Sequence, residues 1–286
     1  MRRNRVIAGL AVAAITGCAL TACQSAPVAG AAPGAGSTAG AAAEPTTGAG
    51  TGVAWSYTMS SLTDNSSPDN ILSIQYPVVA YASATPGDAA LATAMNTKFK
   101  NVDESFVNLF RTQFSSPLPV TVNGKIVPSQ LQVTAYANRV GRLLSVRYDA
   151  FFDRSGSASG FAEEQVLTVR TDTGAVLGAA DLLTPAALSG PGRTALAALI
   201  APSLSTDFIF GGQSAASAVS GALATIAILT NGMTDPVIAV TPVGLEFTFQ
   251  QGALTPMSNG TPSAVIPFAK LAGLINPDVA KLAGAQ

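Results

Sequence analysis

The chain contains no histidine, and its two cysteines, Cys18 and Cys23, both lie within the first 23 residues. A Ser-His-Asp triad, a Cys-His dyad and any histidine-ligated zinc or haem site are therefore excluded. Everything after Cys23 folds without an internal disulfide and has no thiol chemistry. Charge is scarce as well: 11% of the 286 residues are Asp, Glu, Lys or Arg, against about 25% in an average soluble domain. The 15 basic and 16 acidic side chains nearly cancel, but Arg2, Arg3 and Arg5 belong to a leader. Without them the balance turns acidic, the wrong sign for neutralising phosphates. Nucleic-acid binding is not expected, and neither is a metal or another cofactor.

The start of the chain carries an address. Met1 to Arg5 is basic, Val6 to about Ala14 is apolar, and small residues follow. This is the pattern of a secretory signal, with an apolar run too short for a comfortable transmembrane helix. Leu20-Thr21-Ala22-Cys23 resembles the lipobox of bacterial lipoproteins, and Ile15-Thr16-Gly17-Cys18 fits it more loosely. The resemblance implies that residues 1–22 are a lipoprotein signal peptide and that Cys23 is lipidated as the mature N-terminus. The protein would then sit outside the cytoplasm, anchored to the outer face of the cell membrane by acyl chains worth about 0.8 kcal/mol per buried CH₂. Residues 23–52 follow as a stalk. From Gln24 to Gly52 the chain is almost entirely Ala, Gly, Pro, Ser and Thr, with Glu44 as its only charge. Such a segment buries too little to offset the entropy of ordering, so it reads as a flexible linker. Gly34, Gly36 and Gly40 lack the spacing and the preceding strand of a nucleotide fingerprint.

Composition changes at Val53, where a body covering residues 53–286 begins. Trp55, Tyr57, Met59 and Leu62 predict one strand and Ile71 to Tyr81 a second. Thr85 and Pro86 then open a helix on which Leu91, Met95, Phe99, Val102, Phe106, Phe110 and Phe114 recur every three or four residues. After Pro117 the period becomes two. Asn123-Gly124 predicts a tight hairpin within Val120 to Val127, and Leu131 to Val140, Arg142 to Phe152 and Phe161 to Arg170 predict successive antiparallel strands. Shorter helices are expected after Thr184-Pro185, over Gly192 to Leu204 and from Ala269 onward, with further strands at Val237 to Val240, Leu245 to Gln250 and Ser263 to Phe268. Ser214 to Leu229 is uncharged and rich in small residues. It reads as a buried helix, as the lining of an apolar cavity or as its cover. The predicted fold is α+β: antiparallel sheets packed with one long amphipathic helix and shorter helices.

Few residues invite chemistry. Glu163 and Glu164 are adjacent, so on a strand they point to opposite faces and make a poor glycosidase pair; they are expected to be solvated. Asp149, Asp153 and Glu163 flank one loop without the pattern of a calcium loop. Gly212-Gln213-Ser214-Ala215-Ala216 only grazes the nucleophile-elbow motif and has no histidine to serve it. Tyr148, Phe151, Phe152, Asp153 and Arg154 beside the loop to Gly160 form a candidate partner-binding surface, although alternation sends about half of them inward.

Three stretches of the C-terminal half resemble the domain shared by RsiV-type anti-sigma factors and the secreted mycobacterial immunogenic antigen family. They are Val166 to Leu177 followed by Asp181-Leu182-Leu183, Val240 to Gln250, and Thr255 to Ile266 with Gly260 before Val265-Ile266-Pro267. The resemblance spans residues 70–276 approximately and departs at Ser155 to Gly160, where relatives commonly carry a Gly-Gly-x-His type loop. It implies an extracytoplasmic binding or sensing domain. The family's sigma-binding segment and spanning helix have no counterpart ahead of the signal, so anti-sigma activity is not expected. The expectation is a non-enzymatic, lipid-anchored envelope protein that binds a protein or cell-wall partner. A lipid or glycolipid carrier with an apolar cavity stands as the alternative.

Overall fold

The computed structural model describes residues 54–67, 69–82, 85–115, 120–157, 160–204, 212–226, 236–255 and 260–284. The signal, Cys18, Cys23 and the stalk lie outside the described residues. Two long strands come first, β1 (Trp55–Ser67) and β2 (Asn70–Tyr81). Helix α1 (Pro86–Leu109) follows, with the Thr85 hydroxyl accepting from the Asp88 N–H and Pro86 in its first turn. A π-helical turn (Phe110–Phe114) ends it. The hairpin β3 (Val120–Val122) and β4 (Lys125–Val127) turns at Asn123 and Gly124, whose φ angles of 52° and 76° are the pair that a two-residue hairpin turn requires. Three more long strands, β5 (Ser129–Val140), β6 (Leu143–Asp153) and β7 (Phe161–Arg170), are followed by the short β8 (Val176–Leu177).

These strands form a six-stranded sheet in the order β1-β2-β5-β6-β7-β8. Every neighbouring pair is antiparallel except β2 and β5, which run parallel over Asn70–Ile74 and Ser129–Val133. The chain reaches β5 from β2 through α1, a crossover long enough to permit the parallel pairing. One face of the sheet meets α1. Met95, Phe99, Phe106 and Phe110 of the helix segment pack with Leu72, Ile74, Leu131, Val133, Leu144, Val146 and Phe152 of the strands, all of them buried. Phe114 continues this core, its ring stacked at 4.7 Å on Phe152 and 5.8 Å from Phe161. On the helix's outer side Lys100 and Glu104 pair at 3.5 Å in solvent, a contact of little energetic weight.

The remainder builds a second core. Short helices α2 (Ala179–Leu182), α3 (Pro185–Leu188), α4 (Gly190–Ile200) and α5 (Ala215–Leu223) precede the antiparallel sheet β11-β10-β9, made of β9 (Val237–Val240), β10 (Gly244–Thr248) and β11 (Ser263–Pro267). Helix α6 (Pro277–Ala283) closes the described chain. Leu196, Ile200, Val219, Leu223, Val240, Leu245, Phe247 and Ile266 meet in this core, joined by Val140 and Leu143 from the ends of β5 and β6. Of the three readings of Ser214 to Leu229, the buried helix is corrected to a half-buried one, α5. Only Val219 and Leu223 on it are buried and several of its small residues face solvent; residues 227–229 lie outside the described set. No described helix is long and apolar enough to cross a membrane.

Candidate functional site

Alternation along β6 sends its residues to two different environments. Leu144, Val146, Tyr148, Ala150 and Phe152 face α1 and are buried. Leu143, Ser145, Arg147, Asp149 and Phe151 face the other way, and this outer face passes from covered to open along the strand. At its covered end β9 lies over it, with the Val240 N–H donating to Ser145 Oγ at 2.9 Å and Ser145 sharing a 2.7 Å hydrogen bond with Thr168. At its open end Phe151 is 47% exposed.

Between the two ends sits an ionic cluster. Arg147 Nε and Nη2 donate to the two carboxylate oxygens of Asp149 at 2.8 and 3.1 Å, and Nη1 donates to Glu246 of β10. Glu164, directly opposite Asp149 in the β6–β7 register, places Oε2 4.0 Å from Arg147 Nε. Its Oε1 accepts from the Thr261 hydroxyl at 3.0 Å, while Oε2 is buried with no donor among the described residues directed at it. Burial, followed by the hydrogen bond and charge of Asp149, pushes the Glu164 carboxyl up to about 9. At neutral pH the Glu164 carboxyl therefore keeps its proton. Burial works against the Arg147 charge, but the carboxylates of Asp149 and Glu246, with the hydrogen bonds to Asp149, more than offset it and hold the guanidinium ionised. The carboxyl groups are thus committed to Arg147 and to one another.

Two aromatic rings flank this cluster on the open face. Tyr136, across from Arg147 on β5, is 48% exposed and carries the guanidinium 4.9 Å from its ring centre. Phe151 lies four residues beyond Arg147, roughly 13 Å along the strand. Its ring rests on Gly160 so closely that a methyl group there would clash with the ring. Each ring is braced on one side and open on the other. The loop beside Phe151 is tied down at its start: Ser155 N–H donates to Ser129 Oγ at 3.0 Å, and Ser155 Oγ donates to the Val127 carbonyl at 2.5 Å.

The residues expected to form a partner-binding surface are divided by this arrangement. Tyr148 and Phe152 are fully buried against α1, so they belong to the core and not to a surface. Phe151 and Arg154 are exposed and Asp153 is half-buried. Glu163 and Glu164 do point to opposite faces, but the expectation that both are solvated is corrected. Glu163 is 7% and Glu164 5% exposed, the first covered on the α1 side and the second beneath Thr261 and Gln250. Asp149 and Glu163 diverge for the same reason and do not converge on an ion. Burial raises the Glu163 carboxyl, partly opposed by a 3.0 Å hydrogen bond from Gln165. On that inner face Asp103 of α1 is 7% exposed and pushed up to about 7 by burial and then by Glu104. Asp103 Oδ1 and the Tyr148 hydroxyl are both buried without a hydrogen-bond partner among the described residues.

Apart from the sheet face, an open cleft of about 320 Å³ lies at the C-terminal end, lined by Phe268, Ala269, Ala272, Gly273, Ile275, Pro277 and Ala280. Among the described residues no three acidic, cysteine or histidine side chains are placed to hold a metal ion.

No family model matches the chain, and no curated protein matches it. Among solved structures it is similar to crystal structures of two DUF3298 family proteins, one from Pseudomonas aeruginosa PAO1 and one from Bacteroides fragilis NCTC 9343. The Pseudomonas protein is 14% identical with a TM-score of 0.45, over 80% of this chain and 96% of its own. The Bacteroides protein is 14% identical with a TM-score of 0.49, over 80% of this chain and 97% of its own.

Proposed function

We propose that the body is a non-enzymatic binding domain of a lipid-anchored envelope protein, and that it grips a macromolecular partner at the cell wall or surface with the open half of its six-stranded sheet. The observation that supports this reading best is the pair of half-exposed, braced rings, Tyr136 and Phe151, on either side of Arg147 and Asp149. Aromatic and arginine side chains dominate binding hot spots, and rings already held in place lose little freedom on binding. Lipidation of Cys23 would keep this surface within reach of the wall, with the stalk as spacer. The test has two parts. Purified protein is co-sedimented with cell-wall sacculi and incubated with a detergent-solubilised envelope fraction. The double variant Tyr136→Ala/Phe151→Ala is expected to lose at least tenfold in retention while melting within a few degrees of the parent; undiminished retention would overturn the reading. For the anchor, Cys23→Ala is expected to move the protein from the membrane fraction to the soluble one.

A second reading, a lipid carrier, draws on the apolar cleft around Phe268 and Ile275. Its size is at the lower end for a small-molecule site and suits a single acyl chain rather than a whole glycolipid. A native mass spectrum with an extractable lipid adduct that disappears in Ala272→Trp would favour it, and a bare polypeptide would dismiss it.

A further inference from the structure

The long strands of the large sheet end in edges that are treated very differently. Where β2 diverges from β5, the side-chain amide of Asn96 on α1 takes the place of a neighbouring strand. Val79 N–H donates to Asn96 Oδ1 at 2.7 Å and Asn96 Nδ2 donates to the Val79 carbonyl at 3.0 Å. Where β7 runs past the short β8, Gln250 does the same for Glu164, with bonds of 2.9 and 2.6 Å, and Gln251 Oε1 accepts from Ala162 N–H at 2.7 Å. Such plugging is how sheets avoid offering unpaired backbone to other chains.

Among the described residues the outer edge of β1 has no such plug. The Ala82 N–H donates to the Ala54 carbonyl, and Trp55 stands opposite Tyr81. In an antiparallel ladder this makes the even-numbered residues of β1 the ones bonded to β2. The odd-numbered residues then turn their N–H and C=O outward. Arg139 Nη1 takes the Trp55 carbonyl at 3.0 Å, which closes one end, and the register shift between Asp64 and Ser67 closes the other. Tyr57, Met59, Ser61 and Thr63 remain between them, and none of the described residues pairs with their outward backbone groups. The strand carries one charge, Asp64, and no lysine or proline, and Met59 and Leu62 are 44% and 52% exposed.

We infer that β1 is the interface of a two-fold homodimer, in which β1 of one copy pairs antiparallel with β1 of a second copy and the two large sheets become one. The free window sets the register. With Ser60 on the two-fold axis, Met59 stands opposite Ser61 of the second copy and Tyr57 opposite Thr63, so every outward N–H and C=O of the four residues is paired. A shift of two residues either way drives Thr63 against the occupied Trp55 carbonyl or Tyr57 against the bulge. The occupant is a second copy because the edge complements itself. Asp64 falls opposite Ser56 of the other copy rather than opposite a like charge, and small hydroxyl residues meet across the axis.

The test uses the full chain with Cys18 and Cys23 replaced by alanine. Sedimentation velocity over a broad concentration range is expected to show a monomer–dimer equilibrium. Under mild oxidation Ser60→Cys is expected to give a disulfide-linked dimer, since the axis brings the two Cβ atoms within bonding reach. Ser56→Cys, which faces Asp64 across the interface, is expected to stay unlinked. Ser61→Pro removes an outward N–H that β2 does not use, so it is expected to weaken dimerisation at least tenfold with an unchanged thermal melt. A monomer at every concentration, a complex with a different chain on this edge, equal cross-linking of Ser56→Cys, or dimers that survive Ser61→Pro would each overturn the inference.

Discussion

The two faces of β6 carry opposite chemistry on one stretch of backbone. Toward α1 the strand presents Leu144, Val146, Tyr148, Ala150 and Phe152, all buried. Toward the other side it presents Ser145, Arg147, Asp149 and Phe151, and protection there comes from paired polar groups instead of apolar volume. The inner face is held by close packing, where a missing side chain leaves a cavity. The outer face is held by matched charges, where a missing partner leaves a charge stranded in a poorly solvated place. Two neighbouring phenylalanines therefore differ in kind. Phe152 fills space among Phe106, Phe114 and Phe161, whereas Phe151 leans on Gly160 with half of its surface in water.

The largest expected effect breaks the inner face. Phe152→Ala is expected to cost about 3–5 kcal/mol in unfolding free energy, as for other fully buried aromatics. Phe151→Ala, one residue earlier, is expected to cost under about 1 kcal/mol. Urea titrations of the two variants beside the parent check this, and comparable losses would mean that the faces are not energetically distinct. The next effect breaks the outer face. Arg147→Ala strands the carboxylates of Asp149 and Glu246, and a loss of about 2–3 kcal/mol is expected, below the figure for a fully buried pair because Asp149 keeps partial access to water. Adding Glu246→Gln to Arg147→Ala is expected to recover part of that loss, a recovery that simple removal of packing would not give.

How much of this could be read in advance follows from which signals are local. The spacing from Leu91 to Phe114 announces α1, the Thr85-Pro86 start announces its cap, and Asn123-Gly124 announces the β3–β4 turn, because each rests on neighbours within a few residues. The parallel seam between β2 and β5 is not local: the strands are separated by the whole of α1 and a hairpin. The ionic cluster is half legible. Arg147 and Asp149, two apart on a strand, must share a face, but nothing near them announces Glu246, which comes from a different sheet. The same holds for Asn96 and Gln250, whose amides complete distant strand edges without any local signature. The uncharged stretch after Ser214 misled because small apolar residues satisfy a half-exposed helix as readily as a buried one.

The smallest expected effect sharpens the comparison by titrating each face through its own acid. Asp103 on the α1 side and Glu164 on the outer side both have carboxyl groups raised in the fold, to about 7 and about 9. A raised acid binds its proton more tightly folded than unfolded. Its stabilising contribution is complete below the unfolded value, about 4, and is lost as the pH climbs through the folded one. Asp64 and Asp172, whose carboxyls are lowered, act in the opposite direction but only below about pH 4. Stability is therefore expected to peak near pH 4–5 and to decline toward pH 9. Melting curves across this range check it. Asp103→Asn should lessen the decline up to about pH 7 and leave the part above it to Glu164. Glu164→Gln should remove the decline above about pH 7 and lessen it below. A melting temperature that does not change between pH 5 and 8 would show that neither buried acid keeps its proton, and that the outer face holds Glu164 ionised beside Arg147.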